Sequence, residues 1–487
     1  EVFDELSVHN VVSWNALITA YSNNQCEEDA FHCFEQMQLC GLSPDGVTFL
    51  CILKACGNVG SSTKGQEIHA QIVGGGFLGK DVAIGNALVD MYTRSGTLTK
   101  AQEVFNDLPT QNVIAWNALI DGYSNHGHDE KAWHCFQQMR LHGLLPDIVT
   151  FSCVLKACAS AKASGKGQEI HAQIVRNVSL HKDVIVGNAL LDMYAKSGML
   201  SKAQELFNEL KFRDVVTWNV LIGGYVQHGH GEEAMNRFEK MQQGYISPNW
   251  ITFLYLLKAY YITRAMNKVH DILSRILRDG FLEYNNIIGS TVVSMYAKSG
   301  MLGKAQEVFD TLPSQDVISW TALIVGYAEN AHGEEAVNCF EHMKLQGIFP
   351  DPISLICILK TCGSIGATEK GQSVHTEIVR RGLLENENTI GNALVGMYAV
   401  LGMLGEAQGM FDKLQVKEVV SWNELIEGYT EYGHDCVALY AFEQMQLECI
   451  LPDGGTLLSI FKSCTSLGAF KEGQLLHAQI VNEVSLE

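Results

Sequence analysis

Five tryptophans constrain this chain more than any other feature: Trp14, Trp116, Trp218, Trp320 and Trp422 stand 102 residues apart. Nearly the same phrase surrounds each one: VVSWNALITAY, VIAWNALIDGY, VVTWNVLIGGY, VISWTALIVGY and VVSWNELIEGY. Two further phrases keep the same period. TFLCILKACGNVGSSTKGQEIHAQIV returns at Thr150, and IGNALVDMYTRSGTLTKAQEVFNDLP returns near Val186, Ile288 and Ile390. Each 102-residue block therefore holds three related units of 35, 36 and 31 residues. A chain of 487 residues would by length alone suggest about three globular domains. Repetition at this period points instead to small units that stack on their neighbours.

Each unit carries two helical stripes. Trp14, Leu17, Ile18 and Tyr21 recur at three- and four-residue spacing, the mark of an amphipathic helix. The polar turn SNNQ follows, and a second stripe runs through Ala30, Phe34 and Met37 until Gly41 and Pro44 stop it. One such hairpin cannot bury its apolar face alone, whereas stacked neighbours bury a continuous core. The expected fold is all-α, a solenoid of about fourteen helix pairs. The Asn and Gly positions inside the units read as helix caps and stops. One block is irregular. His270 follows Trp218 by 52 residues, whereas His171 follows Trp116 by 55, and three extra residues around 282–285 restore the period. A reshaped turn or shortened helix is expected there.

Apolar residues make up 47% of the chain and charged ones 18%, which excludes disorder. No run of about 20 apolar residues marks a spanning helix. Eight prolines and no Pro- or Ser-rich linker argue against separate domains. The net charge, 34 basic against 54 acidic side chains or −20, argues at first against nucleic acid. A sum over a solenoid says little about its inner groove, however, and acidic runs such as 27–29 and 232–233 fall on second helices. The fourteen cysteines follow no signal-like segment, so reduced, buried thiols are expected.

Several groups resemble chemistry without its full constellation. His128–Glu130, His230–Glu232, His332–Glu334 and His375–Glu377 are H-x-E triplets. A zinc deaminase also needs P-C-x-x-C, and no C-x-x-C exists in the chain. The first three triplets share one repeat position and read as turn residues. Cys51 with Cys56, Cys153 with Cys158, and Cys357 with Cys362 are five apart, on different helix faces, and read as packing groups. His69, His171, His270, His375 and His477 read as inter-helix packing or hydrogen-bonding groups. The Gly-rich pieces at 74–76 and 164–167 lack the spacing of a phosphate loop. The five tryptophans lie in the apolar stripe and read as core.

With WNALI…Y, LKAC…G…G…HA and GNAL…MY…G…A…F alternating in units of 35, 36 and 31, the chain resembles the PLS class of pentatricopeptide repeat proteins over essentially its whole length. The resemblance implies a right-handed α-solenoid superhelix, continuous from end to end. Its P-type units are 11–45, 113–147, 215–249, 317–351 and 419–453. The L-type units are 46–81, 148–183, 250–285, 352–387 and 454–487, and the S-type units 82–112, 184–214, 286–316 and 388–418. Residues 1–10 resemble the tail of another S-type unit. The triplets are then 11–112, 113–214, 215–316 and 317–418, with 419–487 a P-type unit and a truncated L-type unit. Both ends fall inside units, so the chain is expected to be part of a longer protein.

By this resemblance each unit is similar to a one-nucleotide reader of single-stranded RNA, its fifth residue facing the base and its last residue orienting the fifth. An Asn amide carries donor and acceptor and suits a pyrimidine edge, while a short hydroxyl leaves room for a purine. By analogy with base contacts in DNA grooves, each good pair is worth roughly 1–3 kcal/mol of discrimination. Asn15 with Asp45, Asn117 with Asp147, Asn188 with Asp214 and Asn423 with Asp453 resemble uracil readers. Asn219 with Asn249, and Asn86 with Asn112, resemble cytosine-leaning pyrimidine readers. Ser290 with Asp316, and Thr321 with Asp351, resemble guanine readers. Asn392 with Glu418 departs from the pattern and implies only a weak pyrimidine preference. Leu50, Ser152, Leu254, Ile356 and Leu458 hold the fifth position of the L-type units, and these units read as spacers or conformational adjusters. The implied target is 5′-U-x-Y-U-x-U-C-x-G-G-x-Y-U-x-3′, with Val12, Ile114, Val216, Ile318 and Val420 sandwiching bases. Capping alone would explain a constant Asn at the fifth position. It explains less well an alternation of Asn with Ser and Thr inside a nearly fixed phrase.

The function implied is RNA recognition in organellar RNA processing, above all site recognition for cytidine-to-uridine editing, in a mitochondrion or chloroplast. No catalytic residue, cofactor, metal, DNA or membrane is implied. A deaminase domain would lie beyond residue 487 or come in trans with an editing accessory protein. The alternative is a helical-repeat scaffold for proteins, although the 34-residue period and signature of tetratricopeptide arrays are absent.

Overall fold

The computed structural model describes residues 3, 9–24, 26–78, 81–176, 183–265, 267–281, 286–384, 388–471, 473–474 and 477. The expectations for most of 1–10, for 282–285 and for the end of the last unit fall outside these residues. Among the described residues there are 27 helices and no strand, as the two stripes per unit predict. They alternate as first and second helices of successive hairpins. First helices begin at 11, 46, 82, 113, 148, 184, 215, 250, 286, 317, 352, 388, 419 and 454. The chain divides into two compact units, Glu1–Ala265 and Met266–Glu487, with the division between the two helices of 250–285.

Within each unit the same α-solenoid packing repeats. A first helix such as Val11–Asn23 lies against its own second helix, Glu27–Leu39, and against the next first helix, Gly46–Val59. Second helices lean on the first helices of their own hairpin and of the next. First helices thus form one layer and second helices the other. The tryptophans belong to the core, all five being buried. Four of them meet a phenylalanine from the preceding second helix edge-on: Phe105–Trp116, Phe207–Trp218 and Phe309–Trp320 at 4.6 Å, and Phe411–Trp422 at 4.5 Å between centroids. Such pairs add roughly 0.5–1.5 kcal/mol beyond area burial. Close approach of first helices needs a missing side chain. A Cβ on Gly224 would lie 2.6 Å from that of Ala195, and one on Gly326 2.3 Å from that of Ala297.

The L-type histidines split. His69, His171 and His375 hydrogen-bond the hydroxyls of Tyr92, Tyr194 and Tyr398 at 3.0, 2.8 and 2.8 Å, joining second helices to the next first helices. His270 and His477 are exposed instead. In the helix Asn267–Arg278 the three missing residues carry His270 one turn too early, and buried Leu273 holds the equivalent place. That helix has 12 residues, against 13 for Ser164–Arg176. The expectation of buried cysteines also needs correcting. All fourteen are free thiols, but Cys26, Cys40, Cys436 and Cys449 are exposed, because they lie at the solvent-facing ends of second helices.

Candidate nucleic-acid interface

The fifth residue of each unit lies in the second turn of its first helix, so it caps nothing; among the described residues the caps are the last residues of the preceding units. Asn15 is 6% exposed. Asp45 caps Gly46–Val59 by accepting from the Thr48 N–H at 2.9 Å, and the same carboxylate oxygen accepts from Asn15 Nδ2 at 2.9 Å. The Thr48 hydroxyl accepts from the Asp45 N–H at 3.1 Å and donates to Asn15 Oδ1 at 2.6 Å. This closed ring fixes both ends of the Asn15 amide. One amide N–H and one carbonyl lone pair remain for an outside partner.

The ring recurs in the other P-type units that carry Asn. Asn117 donates to Asp147 at 3.1 Å and accepts from Thr150 at 2.6 Å. Asn219 donates to Asn249 at 2.9 Å and accepts from Thr252 at 2.7 Å. Asn423 donates to Asp453 at 2.9 Å and accepts from Thr456. In 317–351 the Thr321 hydroxyl spends its proton on Asp351 at 3.0 Å, so its oxygen is left with acceptor capacity only. Burial pushes the Asp45 carboxyl up. Hydrogen bonds from the Thr48 N–H, the Asn15 amide and the Val47 N–H outweigh it and hold Asp45 below the usual carboxylate range. Asp147 and Asp214 are held down in the same way, and at Asp453 the Thr456 N–H is the leading cause.

The S-type units are built differently, and here the expected orientation by the last residue fails in three of four. Asn112 caps Ala115, Asp316 caps Ser319 and Glu418 forms a capping box with Ser421, with no hydrogen bond to Asn86, Ser290 or Asn392 among the described residues. The Oδ1 atoms of Asn86 and Asn392 are buried without a partner, and Ser290 donates back to the Asn286 carbonyl at 3.0 Å. Only in 184–214 is there a link, where the Thr217 hydroxyl lies 2.8 Å from both Asn188 Oδ1 and Asp214 Oδ1. The deciding group is a threonine at the third place of the following helix. Thr48, Thr150, Thr217, Thr252 and Thr456 are fully buried, and Ala115 cannot do the same. Sequence reading missed these threonines, although D/N-x-x-T is a visible capping signature.

Second-position side chains stand in the open. Val12 is 73% exposed, and Ile114, Val216, Ile318 and Val420 are exposed as well. So are Val47, Val149, Ile185, Ile287 and Ile353 at the same place in L- and S-type units, which sequence reading left out. Single exposed aliphatics are ordinary, but one register repeated is an organised apolar surface. Among the described residues no fifth residue of an L-type unit hydrogen-bonds a cap; Leu458 is exposed and Leu50, Ser152, Leu254 and Ile356 are half-buried.

The charge is unevenly shared. Between their first and last residues the fourteen first helices carry eight basic and seven acidic side chains, a net of +1, so the rest of the chain carries −21. Lys54, Lys156, Lys258, Lys360 and Lys462 recur at one register, 102 residues apart, all exposed or half-exposed on this layer. His128, His230 and His332 precede second helices as exposed turn residues. Among the described residues no group of three His, Cys, Asp or Glu side chains is placed to hold a metal.

Stacked helix hairpins with a repeated polar pair on one layer define a helical-repeat protein. Profiles agree: the PPR repeat family matches residues 9–58, 111–160, 213–261 and 315–364, and the PPR repeat matches 86–113, 188–215, 290–317 and 392–419. The chain belongs to the PPR repeat family. In Arabidopsis thaliana, pentatricopeptide repeat-containing protein At4g18520, chloroplastic, is 32% identical over 465 residues, covering 95% of this chain and 75% of that protein. Pentatricopeptide repeat-containing protein At1g18485 is 31% identical over 484 residues, 98% of this chain and 50% of that protein. Pentatricopeptide repeat-containing protein At3g09040, mitochondrial, is 32% identical over 480 residues, 98% and 46%. The chain thus spans about half the length of the last two. The crystal structure of the pentatricopeptide repeat protein PPR10 from maize matches with a TM-score of 0.60 at 18% identity, over 98% of this chain and 74% of that one. PPR10 in complex with an 18-nt psaJ RNA element matches at 0.52 and 16%, over 96% and 84%. Both are likenesses of fold.

Proposed function

We propose that this protein binds single-stranded RNA along its layer of first helices, one nucleotide to each P-type and S-type unit, as a PLS-class protein. The observation that carries this is the closed ring around the P-type Asn side chains. It leaves one donor and one acceptor, which suits the edge of uracil or cytosine. Thr321, its proton given to Asp351, offers lone pairs and suits the N–H groups of guanine. The repeated aliphatic register supports sandwiching of bases, and the near-neutral first-helix layer removes the objection raised by a net charge of −20. The RNA-bound state of PPR10, a protein of like fold, is consistent with the reading. The cellular role we infer is site recognition for cytidine-to-uridine editing in an organelle, with a deaminase domain or editing accessory protein supplied elsewhere. Mitochondrial and chloroplastic relatives make either organelle the proposed location.

The test is binding of 5′-UxYUxUCxGGxYUx-3′ at low salt against the same RNA with both G positions changed to pyrimidine. The first is expected to bind more tightly, and Thr321→Asn should shift preference at its position toward U. Affinity should fall steeply with salt. Equal binding to scrambled RNA, or none at low salt, overturns the reading and leaves a protein-binding scaffold.

A further inference from the structure

Unit 250–285 departs from the other L-type units on its first helix, Trp250–Ile262. Where the others carry Cys51, Cys153, Cys357 and Ser459, it carries Tyr255. The facing helix, Val215–Gln227, departs with it: Thr19, Asp121, Val325 and Glu427 are replaced by Gly223. The two changes are complementary. Thr19 Oγ1 lies 3.0 Å from Cys51 Sγ, whereas a Cβ on Gly223 would lie 2.7 Å from the Tyr255 ring. The ring therefore rests on bare backbone, in a place no other triplet keeps open.

Tyr255 is only half-buried. It lines a cleft of about 570 Å³, together with the polar pair Asn219 and Asn249, the lysines Lys196 and Lys258, and exposed Tyr261. That volume is in the range of small-ligand sites. Its chemistry is a π-face beside a base-edge reader, with exposed Lys258 in the same cleft and Lys196 paired there to Asp192 at 2.8 Å. Those are the parts that hold a nucleotide without reading its identity: stacking for the base and positive charge for the phosphate.

We propose that Tyr255 is a stacking platform for the nucleotide facing unit 250–285, the x at position 8 of the target, with Lys258 neutralising its phosphate. This L-type unit is then a contact and not a spacer, and it accepts any base. The inference rests on the RNA-binding reading above.

The experiment uses the full chain and the target RNA carrying an abasic residue at position 8 or, separately, at position 2, which faces unit 46–81. The abasic change at position 8 should weaken binding roughly tenfold, and that at position 2 should have little effect. Tyr255→Phe should keep the sensitivity at position 8. Tyr255→Cys should abolish it, as should the double change G223T/Y255C, which installs the Thr–Cys pair of the first triplet and protects the packing. If the wild type binds the target but tolerates the abasic residue at position 8, or if Tyr255→Cys binds as tightly as wild type, Tyr255 merely fills the space above Gly223 and the stacking proposal falls alone. If the wild type binds no RNA, the broader reading falls with it.

Discussion

The 35-residue and 31-residue units begin with the same kind of helix and put the same kind of side chain at its fifth place, yet they treat it differently. In 113–147 the Asn117 amide is held at both ends, by Asp147 and Thr150. In 82–112 the Asn86 carbonyl is buried without a partner, while Asn112 spends its own oxygen on capping Ala115. A cap residue alone therefore does not orient the fifth side chain. For an Asn, a threonine at the third place of the following helix is also needed to fix the acceptor end; serine there does not serve, since Ser319 and Ser421 turn to the carbonyls of Asp316 and Glu418. Preorganisation of this kind lowers the ordering cost of binding, so the P-type positions should discriminate bases more sharply than the S-type ones.

The largest expected effect comes from opening a closed ring. Thr150→Ala removes a fully buried hydroxyl and leaves Asn117 Oδ1 without its donor. It should cost about 2 kcal/mol of stability, and discrimination at the position facing 113–147 should fall to S-type levels. Thermal unfolding and a single-position base series would check both, and unchanged discrimination would break the comparison. The converse change should be milder. Ala115→Thr supplies the missing hydroxyl to Asn86 and Asn112, at a place where Thr217 is accommodated after 184–214. A gain of about 1 kcal/mol is expected, with sharper pyrimidine selection opposite 82–112; a loss of stability would show that the site is too tight.

The smallest effect separates P-type units from one another. Beside Asn423 stands Glu424, where other P-type units have Ala16, Ala118, Val220 and Ala322. Its carboxylate leans on the bare backbone of Gly396, where a Cβ would lie 2.4 Å from Oε2. Burial pushes its pKa up, with Glu427 adding and Lys360 opposing. A raised carboxyl pKa means the folded state holds the proton more tightly. The cost in stability is thus absent at low pH and appears as pH rises past the unfolded value. Glu424→Ala should raise stability by about 0.5 kcal/mol at pH 7 and by less at pH 4, as read by urea unfolding at the two values. An equal gain at both would point to packing instead of charge.

Much of this was legible without coordinates. Trp116 and its four counterparts announce the period, and their place in the stripe announces a core. Asn117 and Asp147 stand out because they recur in register. The histidines show where legibility stops. His69, His171 and His375 meet tyrosines, but His270, matched to them by phrase, lies one helical turn away from the equivalent place held by Leu273. Phrase similarity ignores the 3.6-residue phase of a helix, which decides the face a side chain occupies. The exposed aliphatics Val47, Ile185 and Ile353 were hidden for a related reason. An apolar residue near a helix start reads as core until its neighbours are seen.

The amino-acid order by itself determined the repeat, the places where first helices begin and the identity of the candidate reading residues, because each depends on local spacing and helix-stop chemistry. Only the tertiary structure decided which of those residues is held and which is loose. The partners sit 29 to 33 residues away in the chain and must come within about 3 Å for a hydrogen bond, a distance set by how one hairpin packs on the next.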